Sequence, residues 1–361
     1  MHQDAVDLMY GLLSQPLNPS SVHTNGRKAK NIIERARTQI KELLCITPHS
    51  RKYIVIFTST GTEANNLILS NYRDGAIFIS AIEHLSIFAQ QNRYHNITTI
   101  SVDSNCIIDL ENLECLLSKS TNTKKLLSVM FANNETGAIQ PLKDIIKIAR
   151  RFDTAVHCDC VQAIGKTPIS ITDFDFDFIT ISGHKFGGPV GAAALIAKTN
   201  YNIVSNIIGG GQEMGLRAGT ENIAAIAGLG LAASIAQVEM QQRIQHMRLL
   251  QQRLESNLKN IFPEIMILSA FADRIPNTSL ISLPGMLSSL QLIALDLRHI
   301  AVSAGSACSS GKINKSHVLQ AMGVDIKIAE SAIRISTSQY NLKSDIDCFI
   351  NAFKEIRTTY N

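Results

Sequence analysis

The sequence predicts an α/β fold in which a mainly parallel sheet is covered by helices on both faces and joined to a smaller α+β unit. Two observations predict the large part. Short, continuous apolar runs recur along its length, and they alternate with stretches of helical spacing. Strands that are apolar throughout need cover on both faces, as a parallel sheet in an α/β layer provides. A third observation predicts the second unit: beyond about residue 240 the alternation gives way to strands and helices in mixed order.

Taken in order, the segment 31–44 has helical spacing and "YIVIFTS" (53–59) reads as the first strand. "EANNLILSNY" is helical, and "AIFIS" (76–80), "LLSVMFA" (126–132), "TAVHCD" (154–159), "DFITIS" (177–182) and "AAALIA" (192–197) are strands, with "DIIKIARRF" a helix among them. Residues 232–260 contain neither Pro nor Gly and read as one long amphipathic helix. Past it, "NTSLISL", "HIAVSAG" and "AIRIST" read as strands, and "SLQLIALDL" and "KSDIDCFINAFKEIRTTY" as helices. The expected division is a large domain over 12–240 and a small domain made of 1–11 and 241–361.

The chain of 361 residues is 45% hydrophobic and 18% charged, enough for two domains with a sizeable core. A net charge of +4 without a block of like charges argues against direct nucleic-acid binding. The start, "MHQDAVDLMYGLLSQPLNPSS", lacks a basic segment followed by an apolar one, and no apolar run suits a membrane span. "IAAIAGLGLAASIAQ" (223–237) reads better as a buried helix. Seven cysteines (45, 106, 115, 158, 160, 308, 348) form an odd set without CxxC, which predicts reduced thiols and a cytoplasmic location.

In sheets of this kind ligands sit beyond the carboxyl ends of the strands, so the polar residues there belong together. Gly61 and Thr62 follow the first strand where a helix begins, which suits a phosphate, or else Thr62 is only a helix cap. Asp159 ends "TAVHCD", with Gln162 three residues on; Ser182, His184 and Lys185 follow "DFITIS". A lone lysine at a strand end is ordinarily a solvated charge. Here Asp159 and Lys185, on successive strand ends, suit pyridoxal phosphate: the amine bonds the aldehyde and the carboxylate keeps the ring nitrogen protonated. Cys308 lies in "AVSAGSACSSGK" (301–312) among small residues, open as a buried thiol or a nucleophile. Cys158 and Cys160 lack metal-ligand spacing.

Taken together, "NNETGAIQPL", "HCDCVQAIGK", "SGHKFGGPVG", "GGGQEMGLRAGTEN" and "SAGSACSSG" resemble the cysteine desulfurases of the NifS/IscS type, in the class V aminotransferase family. The resemblance runs from "NPSSVH" (18–23) to "IRIS" (333–336) and implies an aspartate aminotransferase-like, pyridoxal phosphate-dependent transferase fold. It implies that Lys185 holds the cofactor and moves protons, that Asp159 pairs with the ring nitrogen and that His84 stacks on the ring. Asn134 and Gln162 would reach the ring hydroxyl and the substrate. Thr62, Ser182 and His184, with Gly61, would hold the phosphate, and Arg334 the carboxylate of L-cysteine. Cys308 would take the sulfur as a persulfide and pass it to an acceptor protein, either an iron-sulfur cluster scaffold or a tRNA-thiolation enzyme. Thr220, in the Gly-rich loop, would touch the phosphate held by a second copy, which implies a homodimer with shared sites.

Three departures from the family pattern stand out. Met1 falls just after the place of the usual opening strand, which is expected to be missing. Thr60 stands where the family commonly has Gly, which would strain a turn needing positive φ. "TSQYN" follows "IRIS" in place of the usual continuation. The competing readings are another enzyme of the same family, such as an aminotransferase or selenocysteine lyase, and a catalytically impaired homologue that serves as a binding partner.

Overall fold

A computed structural model of the chain describes residues 1–305 and 316–359. Its larger sheet has seven strands: β1 (Tyr53–Thr58), β2 (Ala76–Ser80), β3 (Ile97–Ile100), β4 (Lys125–Met130), β5 (Ala155–Asp159), β6 (Phe178–Ser182) and β7 (Ala193–Lys198). They lie in the order β1-β7-β6-β5-β4-β2-β3. All neighbours from β6 to β3 are parallel, whereas β7 runs antiparallel to both β6 and β1. The reversal follows from chain length: only residues 183–192 join β6 to β7, too few for a crossover back to the same end. Strands β4 to β7 are almost wholly buried, and the polar side chains among their apolar ones, Ser128, His157 and Thr180, bond one another across the strands.

The second sheet is antiparallel, in the order β10-β11-β9-β8, from β8 (Met266–Ile267), β9 (Thr278–Ser282), β10 (Ser303–Ala304) and β11 (Ala332–Ser336). With the helix Met240–Ile261 and the helix Lys343–Thr359 it encloses a separate core around Leu250, Leu254, Ile281, Ile333 and Phe353. "HIAVSAG" thus supplies a two-residue strand only.

Two expectations are corrected. The segment 232–260 is not one helix: the helices Ile223–Val238 and Met240–Ile261 meet at Glu239 with a bend of 75°. The first is buried against the large sheet, and the second must leave to pack in the smaller unit. Arg243 pins the bend, since its Nε donates to Glu239 Oε2 at 2.9 Å and its Nη1 to the carbonyl of Phe186 at 3.2 Å. Residues 1–11 do not join the small domain either. The helix Gln3–Leu13 packs through Met9 and Leu12 on Ala224 and Ala227, and the His2 N–H donates to the Gly187 carbonyl at 2.8 Å. Its apolar stripe finds cover on the large domain. Among the described residues no single helix is long and apolar enough to cross a membrane.

Candidate active site

The carboxyl ends of β1, β5 and β6 converge. Asp159, the last residue of β5, is buried and pairs in register with Thr180 of β6. Its Oδ1 accepts the Val161 N–H at 2.9 Å and its Oδ2 accepts Asn65 Nδ2 at 2.8 Å. Burial pushes this carboxyl above its ordinary pKa, against those hydrogen bonds and the attraction of His84 and Lys185. A protonated ring nitrogen is the type of cation that would offset the cost of burying the charge.

His84 caps the short helix Leu85–Phe88, its Nδ1 taking the Ser86 N–H at 3.1 Å. The same nitrogen lies 2.8 Å from Ser86 Oγ, which accepts Asn65 Nδ2 at 2.9 Å. A hydrogen-bonded chain therefore joins His84, Ser86, Asn65 and Asp159. Asn65 and Ser86 were not legible as site residues, although "TEANN" following the phosphate turn offered a signal for Asn65. The Asn65 Oδ1 is buried and has no hydrogen-bond partner among the described residues.

At the head of the helix Gly61–Ser70, the cap is Thr60, whose Oγ1 accepts the Glu63 N–H at 3.1 Å. Thr62, expected as the cap in the plainer reading, sits one residue inside the helix and is exposed. Thr60 has φ −149°, so the turn does not require Gly there and the expected strain does not arise. Gly61 is different: a Cβ there would come within 3.1 Å of Val161 and 3.6 Å of Ser182. The first amides of the helix are thereby kept close to Ser182, whose Oγ is 3.1 Å from His184 Nδ1. Helix N–H groups, hydroxyls and an imidazole make a set suited to phosphate.

Lys185 closes the short helical turn Gly183–Lys185 after β6. Burial lowers its pKa, with Arg334 adding repulsion and Asp159 opposing it, so the amine gives up its proton more readily than a free lysine. A cavity of about 290 Å³ brings together Lys185, His184, Asn134, Gln162 and Arg334, with Lys166 beside them. Arg334, on β11, is half-buried and makes no ion pair among the described residues; its Nη1 donates to the Asn134 carbonyl at 2.9 Å. The departing segment at Thr337, Ser338 and Gln339 lines this same cavity.

Two expected residues are not gathered here. Thr220 is exposed, on a loop held to the large domain by neighbours that sequence reasoning missed. Glu213 accepts Arg37 through both carboxylate oxygens at 2.8 and 2.7 Å, and Arg217 donates to Glu63 at 2.9 Å and to Ser59 Oγ at 2.8 Å. Cys308 lies outside the described residues. The flanking residues do have a fixed neighbour: Ser316 Oγ donates to Glu135 Oε2 at 2.7 Å, and a Cβ on Gly305 would lie 3.3 Å from the same oxygen.

The class-V aminotransferase family profile matches residues 6–349. A cysteine desulfurase IscS of Dictyoglomus turgidum is 34% identical over 349 residues, which is 94% of this chain and 87% of that protein. A cysteine desulfurase of Nostoc sp. is 35% identical over 348 residues, 94% of this chain and 85% of its own length. Among solved structures, a NifS-like protein from Rickettsia africae superposes with a TM-score of 0.95 at 46% identity, covering 99% of this chain and 96% of that one. A buried carboxylate, an amine of lowered pKa and a phosphate cradle at successive strand ends fit pyridoxal phosphate, the cofactor of this family. The chain belongs to the class-V aminotransferases, with the pyridoxal phosphate-dependent cysteine desulfurases.

Proposed function

We infer that the protein takes sulfur from L-cysteine, leaving L-alanine, and carries it as a persulfide on Cys308 to a sulfur-accepting protein. The observation that supports this most is Arg334, a half-buried guanidinium without a carboxylate partner among the described residues, on the same cavity as Lys185. That pairing suits an α-amino acid, with its carboxylate on the planar guanidinium and its amino group toward the lysine.

Asp159 would hold the ring nitrogen of pyridoxal phosphate, Gln162 and Asn134 its hydroxyl side, and Gly61, Thr62, Ser182 and His184 its phosphate. His84 would lie against the ring. The bound cofactor supplies an electron sink for the bonds of the substrate α-carbon. Lys185, its pKa lowered by burial, is suited to take the proton from that carbon and return it. The Cys308 thiolate would then attack the substrate sulfur: a new S–S bond forms, the Cβ–S bond breaks, and its electrons stay with the carbon skeleton, which is protonated to alanine. The loop bearing Thr220 would complete the phosphate site of a second copy, giving a homodimer. The sulfur acceptor would be a cluster scaffold or a tRNA-thiolation enzyme, and the compartment the cytoplasm.

The test is to supply the purified protein with pyridoxal phosphate and L-cysteine and to measure alanine, sulfide and the mass of the Cys308 peptide. Alanine matched by mobilised sulfur, with one extra sulfur atom on Cys308, is expected. Faster turnover of L-selenocysteine with no sulfur on Cys308 would assign a lyase instead, and no alanine would overturn the reading.

A further inference from the structure

Lys166 sits in the turn after β5 and is only 7% exposed. Its Nζ donates to the Gln162 carbonyl at 2.9 Å and to Gln162 Oε1 at 3.0 Å. It makes no ion pair among the described residues, and the charges it feels are those of Lys185 and Arg334, both positive. His184, on the same cavity, is itself repelled by Lys166. Burial, with that repulsion added, pushes the Lys166 amine down to about 7. An apolar side chain would fill this space at less electrostatic cost.

The local geometry offers a use for the amine. Charged or neutral, the amine keeps at least two N–H donors, one for the Gln162 carbonyl and one for Oε1, so the Gln162 amide turns its oxygen to Nζ. Its Nε2 then has no partner among the described residues, and Gln162 lines the cavity with Lys185 and Asn134. The turn is also fixed against the lysine segment. Gly165 has φ +75°, and a Cβ there would stand 2.8 Å from Cβ of Phe186, the residue after Lys185.

We propose that Lys166 is a positioning residue that holds the Gln162 amide with its N–H pair toward the cavity, as a fixed donor to the ring oxygen of the bound cofactor. This rests on the reading above that the cavity takes pyridoxal phosphate. A fixed N–H donor stabilises the deprotonated ring oxygen; without it the chromophore holds its proton to higher pH.

The experiment follows the visible band of the reconstituted protein through a pH titration. Lys166→Met should raise the midpoint by ~0.5–1 pH unit, about the worth of one hydrogen bond. Because Lys166 acts through Gln162, the same substitution in a Gln162→Ala background should add almost nothing. A shift that persists undiminished in that background would show that Lys166 acts by its charge alone and would overturn the proposal, as would an unchanged midpoint in Lys166→Met. Should Lys166→Met not fold, Lys166→Gln gives the same comparison, since its amide no longer dictates which way Gln162 turns. A wild-type protein without any visible band would fail the cofactor reading itself, a separate outcome.

Discussion

Asn65 donates to Asp159 Oδ2 at 2.8 Å, and through Ser86 it links that carboxylate to His84. This amide, inside the first turns of the helix Gly61–Ser70 proposed to hold the phosphate, thus supports both the group expected to charge the cofactor ring and the group expected to lie against it. Its donation favours the ionised form of Asp159, against the burial that disfavours it. Asn65→Ala should therefore raise the Asp159 pKa further. A buried hydrogen bond to a charged group is worth about 1.5–3 kcal/mol, so cofactor affinity should fall ~10-fold or more. The loss should be worst at acid pH, where Asp159 takes up its proton first. Equilibrium titration with pyridoxal phosphate at several pH values checks this; equal affinities across the range would disprove it.

Why the strand ends were legible and Asn65 was not has a physical reason. Asp159 and Lys185 each follow a short, mostly apolar and wholly buried strand, and strands of a parallel sheet point their carboxyl ends at the ligand side. Asn65 is a polar residue in a helix, and only the approach of that helix to β5 turns it inward. The bend at Glu239 left no Pro or Gly to read, because Arg243 fixes it through the Phe186 carbonyl, a partner distant in sequence. β3, "ITTI", is an edge strand, and its threonines spoil the apolar run that revealed its neighbours.

Lys185 and Cys308 should separate cofactor chemistry from sulfur transfer. Lys185→Ala should abolish the visible band and reduce alanine formation at least ~100-fold, even if the phosphate still binds. Cys308→Ala should keep the band and its response to L-cysteine, yet form almost no alanine, because the thiol acts after the substrate is bound. Wild-type turnover in Cys308→Ala would remove it as the nucleophile.

Glu83, fully buried beside His84, has its carboxyl pushed up to about 8, chiefly by burial, with hydrogen bonds from Ser80 and the Met130 N–H opposing and Asp159 adding repulsion. A folded pKa above the ordinary 4.5 means that the folded protein keeps a proton the unfolded chain has lost. The stability this provides is complete below about pH 4.5 and is lost as the pH rises toward about 8. Glu83→Gln stays neutral throughout, so it should gain on the wild type across that window, by on the order of 1–3 kcal/mol. Urea unfolding of both proteins at stepped pH provides the measurement, and parallel stability curves would count against a buried neutral Glu83.

Glu213 is buried with φ +49°, and it receives Arg37 through both oxygens as well as the Phe57 N–H at 2.8 Å. Removing it leaves a largely buried guanidinium with only the half-exposed Glu34 carboxylate and the Val55 carbonyl, and strands a backbone donor on β1. Glu213→Ala should cost about 3–5 kcal/mol, whereas the double replacement Arg37→Met with Glu213→Leu should cost less. Unfolding midpoints of the two variants decide the order; a double variant no more stable than Glu213→Ala would show that the pair does not act as a unit.

The same anchors bear on the last prediction, which concerns Thr220. The Glu213–Arg37 and Arg217–Glu63 pairs hold the loop to the large domain, and Thr220 on it is exposed. If the loop serves a second copy, each site of the dimer takes Lys185 from one protomer and Thr220 from its partner. A carboxylate at 220 should repel the phosphate, so Thr220→Glu should lose cofactor and activity while Lys185→Ala is inactive for its own reason. In a mixed dimer of these two variants, one site carries both defects and the other carries neither. Unfolding and refolding the two together should then restore activity to about one quarter of the wild type, since half of the dimers are mixed and each has one intact site. Mixtures that stay inactive, although gel filtration shows mixed dimers, would mean that Thr220 serves the site of its own chain.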